Sequence, residues 1–87
     1  MGTTEAEWLM RLPLAVGPHA LQYEGSTARV ALNTGQLLLR WQVLPPRAIA
    51  LLRMPRLEVG FVFEGVDAAS RLQFMQRFDL TMQRGGG

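Results

Sequence analysis

LEVGFVFEGVDAASRLQFMQRFDLTMQRGGG, residues 57–87, changes its hydrophobic period partway along. From Leu57 to Glu64 the apolar residues alternate. Leu57, Val59, Phe61 and Phe63 point one way, and Glu58, Gly60, Val62 and Glu64 the other, which is the pattern of a half-buried strand. Gly65 breaks it. Asp67 then stands where a helix cap belongs, with Ala68 and Ala69 in the first turn. At 100° per residue Phe74, Met75, Phe78 and Met82 share about a third of the circumference, opposite Gln73, Gln76, Arg77, Gln83 and Arg84. A strand followed at once by an amphipathic helix implies an α+β domain, with the Phe/Met stripe against the sheet. Arg84 suits the negative end of the helix dipole and Gly85 a left-handed closing position, so residues 84–87 read as a flexible tail. Arg71 falls near the apolar stripe and is expected to snorkel past the sheet edge, while Leu80 falls on the polar side.

Working upstream, the same alternation appears three more times. His19, Leu21 and Tyr23 alternate with Ala20, Gln22 and Glu24, and Gly25–Ser26 is a turn signal. Ala28, Val30 and Leu32 alternate with Thr27, Arg29 and Ala31. After Asn33–Thr34–Gly35, a hairpin loop with Gly at a left-handed position, Leu37, Leu39, Trp41 and Val43 share a face. Pro45–Pro46 reads as the end of that third strand. Arg47–Met54 is apolar on all sides and bounded by prolines. It fits either a strand or a helix, and the strand is the reading taken. At the N-terminus Thr4–Glu5–Ala6–Glu7 matches a capping box, and Pro13 closes a short helix over about residues 4–11. The expected architecture is an antiparallel sheet of four or five strands, packed against the C-terminal helix on the face made by Leu21, Val30, Leu39, Trp41, Phe61 and Phe63. One helix cannot cover both faces. Ala31, Leu38, Leu44 and Val62 are left on the far side unless the N-terminal helix covers them through Trp8 and Leu9.

Composition narrows the function classes. Eighty-seven residues, 48% of them hydrophobic and 18% charged, make one domain with a small core. No apolar run is long enough to span a membrane, and the acidic start MGTTEAEWLM is no secretory signal. The expectation is a cytoplasmic chain. There is no Cys and a single His. His19 beside Pro18 suits a structural role. Ser26 and Ser70 lack the glycines of a nucleophile elbow. The seven acids show no ligand spacing. No catalytic, metal or cofactor residue is assigned, and no cofactor is expected.

All nine basic residues are Arg. Between Glu24 and Glu58 there is no acid, while Arg29, Arg40, Arg47, Arg53 and Arg56 fall in that window. These five are the candidate contacts for phosphate or for a partner. The aromatics Trp41, Phe61 and Phe63 belong to the inner face, which argues against a base-stacking reader of RNA.

LPPRAIALLRMPRLEV together with FMQRFDLTMQRGGG resembles a group of short bacterial proteins of unassigned function. That resemblance covers roughly the last half of the chain and implies a small α+β domain. LEVGFVFEGVDAASRLQFMQRF also resembles the closing strand and helix of PilZ-type domains. Those domains bind cyclic di-GMP through an R-x-x-x-R segment and a D/N-x-S-x-x-G segment. This chain has neither: LNTGQ at 32–36 lacks the Ser, and Arg53 and Arg56 are spaced R-x-x-R. No residue role is carried over. The functional expectation is therefore a non-enzymatic interaction module that binds a protein partner or itself. Nucleic-acid or nucleotide-phosphate binding through the arginines is the alternative.

Overall fold

Helix, four-strand meander, helix is the order of elements in a computed structural model that describes residues 2–49 and 52–86, with backbone alone for residues 49, 53 and 84–86. The elements are α1 (Glu5–Val16), β1 (Leu21–Glu24), β2 (Thr27–Ala31), β3 (Gln36–Ile49), β4 (Leu52–Glu64) and α2 (Ala68–Gly86). The sheet is antiparallel throughout, in the order β1-β2-β3-β4. This is the α+β architecture that the periodicity implies, with four strands.

The alternation fixes the register. Leu21 faces Val30, Val30 faces Leu37, and Leu37 faces Phe63, so one apolar row crosses all four strands. A second row runs through Ala28, Leu39 and Phe61. A one-residue slip would turn both rows to the other face. Both helices pack on this inner face. Trp8 of α1 lies 5.7 Å from Trp41 and 6.0 Å from Phe78 of α2, and Phe78 meets Phe61 edge-on at 5.4 Å. Trp8, Leu12, Val16, Val30, Leu37, Leu39, Leu57 and Phe78 are sealed from solvent.

Several local readings change. α1 does not stop before Pro13 but runs to Val16 with Pro13 inside it. The proline costs one backbone hydrogen bond, and the turn beyond it buries Ala15 and Val16, which offsets that loss. The start is as expected: Thr4 Oγ1 accepts from the Glu7 N–H at 3.2 Å. Gly17 (φ 64°) closes the helix. α1 has no basic residue in its last turn. The Arg77 guanidinium of α2 lies there instead, 2.7 Å from where a Gly17 Cβ would stand, a cation at the negative end of the dipole.

β3 does not end at Pro45–Pro46. Between the pairs Leu44–Arg56 and Arg47–Met54, β3 advances three residues and β4 two. The prolines therefore sit in a bulge, where an unpaired residue without an N–H is tolerated. Residues 47–54 are not a strand of their own: Arg47–Ile49 closes β3, Leu52–Met54 opens β4, and residues 50–51 lie outside the described part. A 13-residue strand spans about 43 Å, close to the 47 Å long axis of the molecule. The β3–β4 hairpin thus sets the length of the molecule and projects as an arm beyond the helices. The alternation puts Val43 on the covered face. It is nonetheless 60% exposed while its partner Leu57 is buried, because β2 ends at Thr27, opposite Arg40, and does not extend beside Val43.

Gly35 is also needed for a different reason. Among the described residues, the glycines with positive φ are Gly17, Gly25 and Gly65. At Gly35 a Cβ would collide with the Glu64 carbonyl oxygen and stand 2.6 Å from the Gly65 carbonyl carbon. The close approach of β4, not a left-handed turn, demands glycine. Thr34 Oγ1 donates to the Gly65 carbonyl at 2.8 Å and locks the same junction. At the far end, α2 starts with Asp67 Oδ2 accepting from the Ser70 N–H at 3.4 Å and continues through Gly85 to Gly86, so Gly85 does not close it.

Candidate interaction surface

Because both helices lie on one side, no helix among the described residues covers the other face of the sheet. Its rows follow from the register: Ala31, Gln36 and Glu64; then Gln22, Arg29, Leu38 and Val62; then Glu24, Thr27, Arg40 and Gly60. Along the arm come Gln42 with Glu58, Leu44 with Arg56, and Arg47 with Met54. Val62 is 55% exposed and Leu38 half-buried. Gln22, Arg29, Leu38, Arg40, Gly60 and Val62 line a shallow groove of about 550 Å³, open where Gly60 lacks a side chain. Tyr23 sits at its border, and burial pushes its hydroxyl above the ordinary 10.0.

Four of the five candidate arginines share this face. Arg29 and Arg40 are diagonal neighbours, since Arg29 faces Leu38 and Arg40 faces Thr27. Arg56 and Arg47 follow along the arm, and the bulge keeps Arg47 on the side of Arg40 despite its odd number. Arg53 is paired through its backbone with Ala48, and its side chain lies outside the described part. Among the described residues the ion pair present is Arg11–Glu7 at 3.3 Å, so Arg29, Arg40, Arg47 and Arg56 have no carboxylate within salt-bridge reach. The acid-free window of the sequence does not survive folding, however. β4 brings Glu58 and Glu64, and β1 brings Glu24, onto the face that holds these arginines. The surface is mixed in sign, not a basic stripe.

The backbone of β4 completes the surface. The Trp41 N–H donates to the Ser26 carbonyl at 3.0 Å, so odd residues of β3 turn their backbone groups toward β2. In an antiparallel ladder the direction alternates residue by residue. Even residues of β3 therefore bond to β4, through the pairs Leu38–Val62, Arg40–Gly60 and Gln42–Glu58. It follows that the odd residues of β4 turn outward. Val59, Phe61 and Phe63 present their N–H and C=O groups at the free edge, with no backbone partner among the described residues. Pro55 also faces outward, where it removes one donor. The sequence marks β4 as a strand but holds no sign that it lies at the edge of the sheet.

Elsewhere, chemistry-bearing groups are dispersed. His19 packs its ring 5.8 Å from Phe74, and Arg71 lies over the Phe63 ring at 5.0 Å, the snorkelling position expected for it. Among the described residues no three of His, Asp or Glu come together in metal-binding fashion, and no helix is long and apolar enough to cross a membrane. The chain matches no family model, no curated protein and no solved structure.

Proposed function

We propose that the protein is a non-enzymatic interaction module that binds protein through the side of the sheet opposite its helices. One observation carries this reading. α1 and α2 cover the same face, which leaves the other face and the β4 edge as an apolar and mixed-charge surface with unspent backbone hydrogen bonds. Photocrosslinking in cells tests it. With p-benzoylphenylalanine at Val62 or Leu38, adducts of defined mass are expected. The same probe at Gln76, on the solvent side of α2, is expected to give none. Equal yields from all three positions, or no adduct from any, would reject the reading.

A second reading has its own support: Arg29, Arg40, Arg47 and Arg56 lie on one face without ion partners. Nucleic acid or a nucleotide phosphate would meet them there. Glu24, Glu58 and Glu64 on the same face oppose it. Amide shifts on adding a short mixed-sequence RNA decide between the two. Shifts at these arginines that fade with salt favour phosphate binding, and a silent titration at low salt leaves protein binding.

A further inference from the structure

We propose that the end of the β3–β4 arm docks on an anionic lipid surface, with Leu52 and Met54 entering the bilayer boundary and Arg47 and Arg56 taking the headgroup phosphates. This goes beyond the protein-binding reading and uses a different part of the sheet. Val62, which reports on that reading, lies roughly 33 Å from Leu52 along β4, so either inference fails without the other.

The arm exposes what a domain ordinarily buries. Pro45 to Ala48 and Met54 to Arg56 are all exposed. Leu52 is 68% exposed and Met54 49%. Large aliphatic side chains held outside the core mark a contact surface. Strand addition does not suit this one. Pro45–Pro46 and the bulge interrupt one edge of the arm, and Pro55 removes a donor from the other. What the arm offers a partner is side chains.

The order of those side chains selects the partner. From the end of the arm inward, the register sets Ile49 opposite Leu52, Arg47 opposite Met54, Leu44 opposite Arg56, and then Gln42 opposite Glu58. Apolar residues come first, a cation beside an apolar residue on the next two rungs, and a carboxylate last. From Val43 to Leu57 the sequence holds no acid. Successive rungs on one face are about 7 Å apart. Interfacial segments bury their apolar groups by roughly 5–10 Å. With Leu52 at that depth, Arg47 lies among the phosphates, and Glu58, about 20 Å from Leu52, stays in water. A bilayer presents hydrocarbon inside and phosphate outside, in the same order. Nucleic acid presents its phosphates outermost, and an arm built for it would carry its cations at the end. Arg47 and Arg56 also line one hollow of about 370 Å³ with Leu44 and Met54, which Gly2, beside the Pro55 carbonyl, and Glu58 line as well. Neither arginine has a carboxylate within salt-bridge reach among the described residues, so both guanidiniums are available to a phosphate.

Vesicle binding tests the proposal. The chain has no cysteine, so Leu52→Cys carries a single nitrobenzoxadiazole label. On vesicles of phosphatidylcholine with about 30% phosphatidylglycerol, its emission should shift to the blue, with half-binding at about 1 mM accessible lipid or below. Vesicles of phosphatidylcholine alone should bind about tenfold more weakly or worse. The same label at Gln76, on the solvent side of α2, should not shift. In flotation of the unlabelled chain, Arg47→Gln and Arg56→Gln should each weaken binding about fivefold, and Leu52→Asn about tenfold. These positions are exposed, so the variants should fold, which circular dichroism confirms. No flotation at about 5 mM anionic lipid overturns the proposal. So does binding that the three variants leave unchanged, or binding with no blue shift at position 52, which would move the contact to another surface. A chain that ignores vesicles and binds a short mixed-sequence RNA through Arg47 and Arg56 replaces the lipid by nucleic acid.

Discussion

Replacing Phe78 by Ala tests the packing on which the rest depends. Phe78 is 0% exposed. Its ring touches three others: Phe61 at 5.4 Å, Phe74 at 5.8 Å and Trp8 at 6.0 Å. It is therefore where α1, α2 and the sheet meet. Truncating a buried Phe to Ala costs about 3–5 kcal/mol. The ring also stacks on its three neighbours, and each such pairing stabilises by about 0.5–1.5 kcal/mol, partly included in that range. The upper half is therefore expected, about 4–5 kcal/mol. A chain of 87 residues has a total stability of about 4–13 kcal/mol, so this one change removes from a third to all of it. Urea unfolding followed by tryptophan fluorescence and by far-UV circular dichroism reads the effect, with Trp8 and Trp41 as reporters beside the site. At a slope of about 1–1.5 kcal/mol per molar urea, the midpoint should fall by about 3–5 M, or no folded baseline should remain. Phe78→Leu should lose about 1–1.5 kcal/mol and keep a measurable transition. A loss below about 1 kcal/mol for Phe78→Ala would mean that α2 presents another face to the sheet.

Three further comparisons separate causes that look alike. Gly35→Ala should cost about 1–3 kcal/mol in a thermal melt, since a Cβ meets the β4 backbone, whereas Gly25→Ala, with φ 59° and open space around it, should cost only the backbone strain of about 1–2 kcal/mol. Trp41→Phe removes the Nε1 donor that reaches Glu5 Oε2 at 2.9 Å, while Trp8→Phe removes a buried Nε1 with no partner among the described residues. In urea titrations Trp41→Phe should be the more destabilising by about 1 kcal/mol. Asp67 responds to acid: hydrogen bonds from Ser70 hold its carboxyl below the ordinary 3.8, so its contribution to stability is present above that value and is lost as pH falls through the lowered one. The acid limb of wild type should therefore be steeper below pH 4 than that of Asp67→Asn, and equal slopes would remove Asp67 from the cap.

The strands and α2 are legible because period-two alternation and a 3.6-residue stripe are properties of single segments. Leu37 and Leu39 can be assigned to the covered face without knowing their neighbours. Misreadings arise where a neighbour decides. Pro13 looks like a stop until the burial of Ala15 and Val16 is weighed against its missing hydrogen bond. Pro45–Pro46 looks like a terminus because a bulge exists only relative to the partner strand. Gly35 stands out in the sequence, but as a turn residue, since nothing local shows that Glu64 lies against it. The arginines show the same limit. Alternation alone makes Arg29 and Arg40 neighbours, but an acid-free window in sequence says nothing about Glu58 and Glu64, which arrive on the same face from the next strand.

The meander also bears on the order of events during folding. Every strand pairs with its neighbour in sequence, so the sheet can grow one hairpin at a time at little loop-closure cost. The contact between Trp8 and Phe78 is different, for it joins segments seventy residues apart. α1 has no core until the sheet and α2 provide one, so its docking should come late. In a kinetic study, changes at Trp8 and Leu12 should then speed unfolding while leaving the folding rate nearly untouched, and changes at Leu37 and Leu39 should slow folding itself.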